Sequence, residues 1–207
     1  MEINKKEVFE KINYALLNYN KPSSFFIENI EEDFFDEYPF SVIKKLKEIE
    51  QNPTHHKEGN VFNHTMLTID CGAKNLYKED EKAVFMWGLL LHDIGKIPTT
   101  KIRKGKITSY NHDIEGEKMT VDFLNQFDFL DEDFKYKVAK IVRWHMQVVF
   151  FAKNMFYDKD IKKMPKETDI NRIARVAYCD RLGRLGVDEK EVLDNINIFL
   201  EKAKKIK

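Results

Sequence analysis

The sequence predicts an all-α protein with one small hairpin or extended excursion near residues 99–109. Over most of the 207 residues, apolar side chains recur at the three- and four-residue spacing that places them on one face of a helix. Only the stretch 99–109 alternates apolar and polar residues, around Lys104-Gly105, as paired strands do. A hydrophobic content of 43% with 16 phenylalanines supplies the core that such a bundle needs.

The first 53 residues are predicted to form a helical segment that packs on the main domain. A helix is expected over residues 5–18, Pro22 suits the start of the next one, and a further helix ends before Pro53. The apolar face of the first helix consists of five residues: Val8, Phe9, Ile12, Ala15 and Leu16.

The helix predicted over residues 83–91 is apolar along its whole length and stops on His92-Asp93. Such a run is typical of a buried helix, so its last turn brings an imidazole and a carboxylate to the edge of the core. An ionised carboxylate is costly there unless it is paired or bound to a metal. Gly95 is expected at a helix terminus that needs a positive φ. The preceding helix is predicted over residues 60–77.

The hairpin stretch carries four cations, for which two roles are open. They could contact a phosphate-bearing substrate, or they could belong to a solvated turn, which the charge pattern favours. The four cations are Lys101, Arg103, Lys104 and Lys106. Further helices are predicted over residues 112–127, 131–149, 169–184 and 188–204.

The segment 150–166 is aromatic at its start and charged afterwards. It is interpreted as core filler or as a lid over a site, and core filler is preferred because loops with a packed underside are common. The expected organisation is an N-terminal segment (1–53), a main domain (54–186) and a C-terminal helix (187–207).

The composition indicates a soluble cytoplasmic protein without a membrane partner. Lys plus Arg equals Asp plus Glu at 35 each, so no overall basic field attracts nucleic acid. Cys71 and Cys179 lack metal-site spacing and a disulfide-rich context, and we expect them to be buried reduced thiols. The N-terminus shows no signal peptide, and no stretch approaches the length of a membrane span.

The candidate ligands are four of the six histidines together with two aspartates. His64, His92, His112 and His145 recur at intervals of 28, 20 and 33 residues within helical patterns, and Asp180 lies in an apolar helix. Imidazole and carboxylate suit Mn, Fe, Co, Ni or Mg better than a thiolate would. These groups can meet only if their helices converge.

The order of His64, His92-Asp93 and Asp180 resembles the signature of the HD superfamily of metal-dependent phosphohydrolases. Short motifs around these residues are similar to those of the HD domain in bacterial tRNA nucleotidyltransferases, the CCA-adding enzymes, over roughly residues 14–186. The motifs lie at residues 56–65, 91–96, 109–112, 143–146 and 180–184. The resemblance implies an HD-domain helical bundle.

The resemblance also implies a divalent metal site, with one or two ions (Mn, Ni, Co, Fe or Mg) per chain. His112 and His145 have two alternative roles. They could hold a second ion with Asp93 as the bridge, as in some HD phosphodiesterases, or they could bind or protonate the phosphate. The ligands implied for the first ion are His64, His92, Asp93 and Asp180.

Two cations are placed to bind the phosphate. Lys96 follows His92 by four residues and Arg184 follows Asp180 by four, so each could lie on the same side as a ligand. The alternatives are a solvated helix-end charge for Lys96 and an intrahelical ion pair for Arg184. Single-metal nucleotidases of the superfamily tend to carry a glutamate where Lys96 stands, which disfavours a simple 5′-nucleotidase.

The function implied is metal-assisted phosphoester hydrolysis, with Asp93 and Lys96 as catalytic residues. The expected substrates are nucleotides, or the cyclic or terminal phosphates of RNA. Nucleotidyl transfer is not expected, because the N-terminal segment has no Gly-Ser or paired-aspartate motif. Two alternatives stay open: a non-catalytic module that binds RNA or protein, and a cyclic-dinucleotide phosphodiesterase, whose Gly-Tyr-Pro motif is missing after His112.

Overall fold

The computed structural model describes residues 4–75 and 79–204, which form a helical bundle with one two-stranded hairpin. The α-helices are α1 (Lys5–Asn18), α2 (Ser23–Asn29), α3 (Ser41–Lys45), α4 (Val61–Asn75), α5 (Lys82–Leu91), α6 (Lys96–Thr99), α7 (His112–Leu124), α8 (Glu132–Trp144), α9 (Gln147–Ala152), α10 (Asp158–Glu167), α11 (Ile170–Leu182) and α12 (Glu189–Lys204). The strands are β1 (Thr100–Arg103) and β2 (Lys106–Ser109). The all-α prediction is confirmed. None of the helices in the described ranges has the length and apolar character needed to cross a bilayer.

Helix α5 lies at the centre of the bundle. It contacts α1, α4, α8 and α11, and every residue from Val84 to Leu91 is buried. A helix that is surrounded on all sides has no solvent-facing stripe, which is why this run is apolar throughout. Its C-terminal end therefore lies inside the protein, where His92 and Asp93 are also buried.

An aromatic stack and hydrogen bonds at two sites connect the N-terminal helices to the bundle. The ring of Phe9 stacks on Trp87 of α5 at 4.4 Å between centroids, and the indole N–H of Trp87 donates to Asn13 Oδ1 at 3.0 Å. The backbone N–H and hydroxyl of Ser23 donate to the two carboxylate oxygens of Asp70 in α4, at 2.9 and 2.7 Å. The division of the chain into three segments stays a prediction.

The predicted helix over 131–149 is two helices. Helix α8 ends at Trp144 and α9 begins at Gln147, and His145 lies at the break. Helix α10 was not predicted as a helix. The helix expected over 60–77 ends at Asn75 within the described part of the chain, and Tyr77 lies outside the described residues.

The aromatic residues at the end of α9 and just after it pack partly into the core. Phe151 is buried, stacks on Phe156 at 4.8 Å and meets the edge of Phe199 in α12 at 5.2 Å. Core filler is therefore the correct interpretation for Phe151.

The predicted hairpin is confirmed. Strand β1 pairs antiparallel with β2 from Thr100 opposite Ser109 to the turn, where Lys104 and Gly105 have φ values of 50° and 73°. A two-residue turn with positive φ at both positions matches the right-handed twist of paired strands. A methyl group added at Gly105 would meet no atom within 4 Å, so the tip is open.

Gly95 has a different role from the one predicted. Its φ is −64°, in the right-handed region, so the expected positive φ is wrong. A methyl group at this position would overlap the carbonyl oxygen of His112 and the backbone of Gly116. Glycine is required because the start of α6 lies directly against the first turn of α7.

We therefore expect Gly95→Ala to destabilise the protein strongly. Overpacking a core costs about 1–3 kcal/mol, and here the clash is with backbone that has no rotamer to change, so the loss should reach about 3 kcal/mol or more. Urea unfolding measures the free energy. Gly105→Ala is the matched control, with a cost of about 1 kcal/mol from its positive φ. Equal losses at the two positions would contradict this role for Gly95.

Candidate metal centre

Three of the candidate imidazoles are each oriented by the same kind of local hydrogen bond. In His92, His112 and His145, ring nitrogen Nδ1 donates to the backbone carbonyl three residues earlier, at 2.7 Å in each case. His92 and His145 follow the last residues of α5 and α8, where backbone carbonyls have no partner within the helix. Each of these two rings satisfies such a carbonyl, and the backbone fixes its direction.

The hydrogen bonds also determine which ring nitrogen is free. A carbonyl can only accept, so Nδ1 carries the hydrogen and Nε2 of the neutral ring keeps a lone pair. His64 follows the same logic, because its Nδ1 faces two acceptors, the carbonyl of Gly183 and Oε1 of Glu58, each at 3.3 Å.

The free nitrogens face each other in two pairs. Nε2 of His64 lies 3.3 Å from Nε2 of His92, and Nε2 of His112 lies 3.2 Å from Nε2 of His145. With the hydrogens on Nδ1, two lone pairs meet at each of these contacts and repel. A shared cation removes the repulsion, so the donor set fits a divalent metal ion.

Asp93 lies between the two pairs of imidazoles. Its Oδ2 is 3.3 Å from Nε2 of His92 and 3.7 Å from Nε2 of His64. Its Oδ1 is 3.4 Å from Nε2 of His112 and 3.8 Å from Nε2 of His145. One carboxylate thus turns a different oxygen towards each pair.

Asp180 completes the first set of donors, with Oδ1 3.0 Å from Nε2 of His64. Within each of two groups, the ligand atoms all lie within 4.8 Å of one another. The groups are His64, His92 and Asp180, and Asp93, His112 and His145. The structure thus brings together all six residues that the sequence singled out as candidate ligands.

Both aspartates are held in the ionised form. Burial alone would raise the pKa of Asp93, but Lys96 and then His92 outweigh it and hold that pKa well below its usual range. Burial is likewise outweighed at Asp180, mainly by Arg184 and His64, so the pKa of this carboxyl also lies well below its usual range.

The imidazoles divide into two kinds. Burial lowers the pKa of His112 to about 3 against the attraction of Asp93, and burial together with His92 lowers the pKa of His145. Burial would also lower the pKa of His64, but hydrogen bonds to Asp180 and Glu58 raise it instead. The surroundings of His64 therefore favour an added positive charge, which a proton or a metal ion can supply.

Lys96 and Arg184 are both bound to candidate ligands. Nζ of Lys96 donates to Asp93 Oδ2 at 2.7 Å and to Gln51 Oε1 at 2.8 Å, and Lys96 is buried, so a solvated helix-end charge is wrong. Nη2 of Arg184 donates to Asp180 Oδ1 at 2.9 Å, which is the ion pair that was the alternative to phosphate binding. The Nε of Arg184 is buried and has no hydrogen-bond partner among the described residues.

Glu58 was not among the predicted site residues, and it contacts His64 of the first group. Its side chain is buried and accepts from Nδ1 of His56 at 2.7 Å as well as facing His64. Burial would raise the pKa of Glu58, but the two histidines and its own backbone N–H lower it to about 2. His56 contacts Glu58 on the Nδ1 side of His64. No helical periodicity marks this loop, so only its similarity to the family motif pointed to it.

The two groups open on a cleft of about 450 Å³. Its walls come from the loop before α4, the end of β2 with Tyr110, the start of α9 and the last turn of α11. Ile107 through Tyr110 line it, whereas none of the four hairpin cations does. Lys101, Lys104 and Lys106 are exposed, as a solvated turn requires, whereas Arg103 is half-buried and donates to the backbone carbonyl of Thr108.

A family model described as HD domain matches residues 42–184, which include all six candidate ligands. No curated protein matches the chain. The match covers well over half of the sequence and confirms the superfamily part of the resemblance. The chain belongs to the HD domain family.

Proposed function

We propose that the protein is a metal-dependent phosphohydrolase that acts on nucleotides or on the cyclic or terminal phosphates of RNA. Membership of the HD domain family indicates metal-dependent hydrolysis in general. The observation that carries the proposal is the position of Asp93, whose two oxygens face two separate groups of donors. Such a bridging carboxylate is suited to two ions that act together on one phosphate.

The residues fit a first ion held by His64, His92, Asp93 and Asp180 and a second held by Asp93, His112 and His145. When bound, a divalent ion lowers the pKa of water and polarises a phosphoryl oxygen. The lowered pKa values of His112 and His145 favour the neutral imidazoles, which can bind a metal ion through Nε2, over the imidazolium that would protonate the phosphate.

The remaining residues position the phosphate. Lys96 sits beside Asp93 and Arg184 beside Asp180, so both cations flank the donors from the cleft side. Arg184 has donor capacity beyond its bond to Asp180, because its Nε has no hydrogen-bond partner among the described residues. Cations in a partly water-excluded site stabilise the charge that develops as the phosphoester bond breaks. Asp93 orients the attacking water.

The finer parts of this proposal rest on the sequence. The short motifs around the ligands support a relation to the HD domain of the tRNA nucleotidyltransferases, and they favour RNA-terminal or cyclic phosphates as substrates. The cytoplasm stays the proposed location, because Cys71 and Cys179 do not belong to a disulfide-rich sequence pattern. Hydrolysis, and not nucleotide addition, is the proposed activity.

Hydrolysis of bis(p-nitrophenyl) phosphate and of 2′,3′-cyclic AMP tests the function. With Mn, Ni, Co or Mg added, wild type should turn over at least one of these esters. Asp93→Ala removes a ligand from both groups and should lower turnover by more than about 100-fold, beyond the loss seen for residues that only support ligands. Asp128→Ala removes an exposed carboxylate and should change nothing. Absence of turnover with every one of these metals would refute the proposed hydrolytic activity.

His145→Ala should change the number of bound ions. It removes an imidazole from the second group and leaves the first intact, so metal analysis should find about two ions in wild type and about one in the variant. A wild type with one ion that His145→Ala retains would show that the second group does not bind metal.

Ion binding should also stabilise the fold. A ligand that binds only the native state at 100 times its Kd adds about 2.7 kcal/mol. For a chain of this size that corresponds to a rise in Tm of about 5–10 °C. Differential scanning fluorimetry of metal-free protein titrated with Mn²⁺ measures the rise, which Asp93→Ala should abolish. A similar rise in that variant would place the stabilising ion elsewhere.

A further inference from the structure

Two further cations line the cleft and, unlike Lys96 and Arg184, form no ion pair among the described residues. Arg181 follows Asp180 in α11, and Lys153 follows the end of α9, and both line the cleft. In the described part of the chain, neither side chain makes a hydrogen bond or an ion pair. Positive charges without an ion-pair partner in a concave site concentrate anions from solution.

Two carboxylates, Asp180 and Glu191, attract Arg181, but neither forms an ion pair with it in the described part of the chain. Glu191 of α12 borders a neighbouring cavity of about 200 Å³ that Arg181 and Lys153 also line, yet no ion pair joins Glu191 to either of them. Arg181 is half-buried, and its planar guanidinium suits bidentate binding of a phosphate.

Lys96 and Arg184 already bind the carboxylates of Asp93 and Asp180. Arg181 and Lys153 therefore remain for a separate phosphate group. We infer that Arg181 and Lys153 form a second phosphate subsite, so the preferred substrate carries a phosphate next to the one that is hydrolysed. This inference rests on the proposed function, in which Lys96 and Arg184 flank the phosphate that reacts. Two kinds of molecule share this chemistry: a nucleoside diphosphate, and an oligonucleotide that ends in a phosphate.

Binding of uncleavable probes tests the subsite independently of turnover. Calorimetry on Mn-loaded protein compares inorganic phosphate, with one phosphorus, and methylenediphosphonate, with two. We expect Arg181→Gln to weaken methylenediphosphonate binding about tenfold, since a charge-assisted hydrogen bond is lost, and to change phosphate binding less than about twofold. Arg181→Lys should restore part of the affinity. Lys101→Gln, which removes an exposed charge outside the cleft, should affect neither probe.

The outcomes separate this inference from the proposed function. Equal effects of Arg181→Gln on both probes, or none on either, would overturn the second subsite. If Arg181→Gln weakens only methylenediphosphonate binding while no phosphoester is hydrolysed, the subsite stands and the proposed enzyme fails. If phosphoesters are hydrolysed but Arg181→Gln does not distinguish the two probes, the proposed enzyme stands and the second subsite fails.

Matched substrates identify the source of the second phosphate. Specificity constants (kcat/KM) are compared within two pairs: cyclic 2′,3′-AMP against a dinucleotide that ends in the same cyclic phosphate, and AMP against ADP. An Arg181-dependent gain for the dinucleotide supports an oligonucleotide, and a gain for ADP supports a nucleoside diphosphate. No gain in either pair would overturn the inference for substrates.

Discussion

The structure depends on keeping unprotonated imidazole nitrogens and ionised carboxylates together inside an apolar core. Burial penalises each charge, and the facing lone pairs repel, so the arrangement needs positive charge at its centre. Lys96 and Arg184 provide two charges against the three carboxylates of Glu58, Asp93 and Asp180. A divalent ion held by these residues would supply the missing positive charge, so under the proposed function the same residues would serve both stability and chemistry.

Helix ends position several of the candidate ligands within the bundle. Because α5 is buried on all sides, its C-terminus delivers His92 and Asp93 to the interior, and the break between α8 and α9 delivers His145. Each of these histidines uses an unpaired carbonyl of its own helix to hold its ring. The main chain thus orients the ligands directly, without a separate set of supporting side chains at these two positions.

Local signals in the sequence predicted the ligands and the hairpin, and long-range contacts limited the rest. The histidines and the alternating stretch are visible in a few residues each. The role of Gly95 depends on α7 packing against it, and the burial of Lys96 depends on Gln51, 45 residues earlier in the chain. Local rules therefore assigned a positive φ to Gly95 and left a solvated charge open as the alternative role of Lys96. The contact of Glu58 with His64 likewise arises only when its loop folds over α4.

The hairpin connects an open tip to a residue at the centre. Its second strand ends at Ser109, whose carbonyl orients His112, whereas the space around Gly105 is empty. Insertions or changes of composition at the tip are therefore uncoupled from the ligands. Residues at the turn can therefore be exchanged while the carbonyl of Ser109, at the other end of the strand, continues to orient His112.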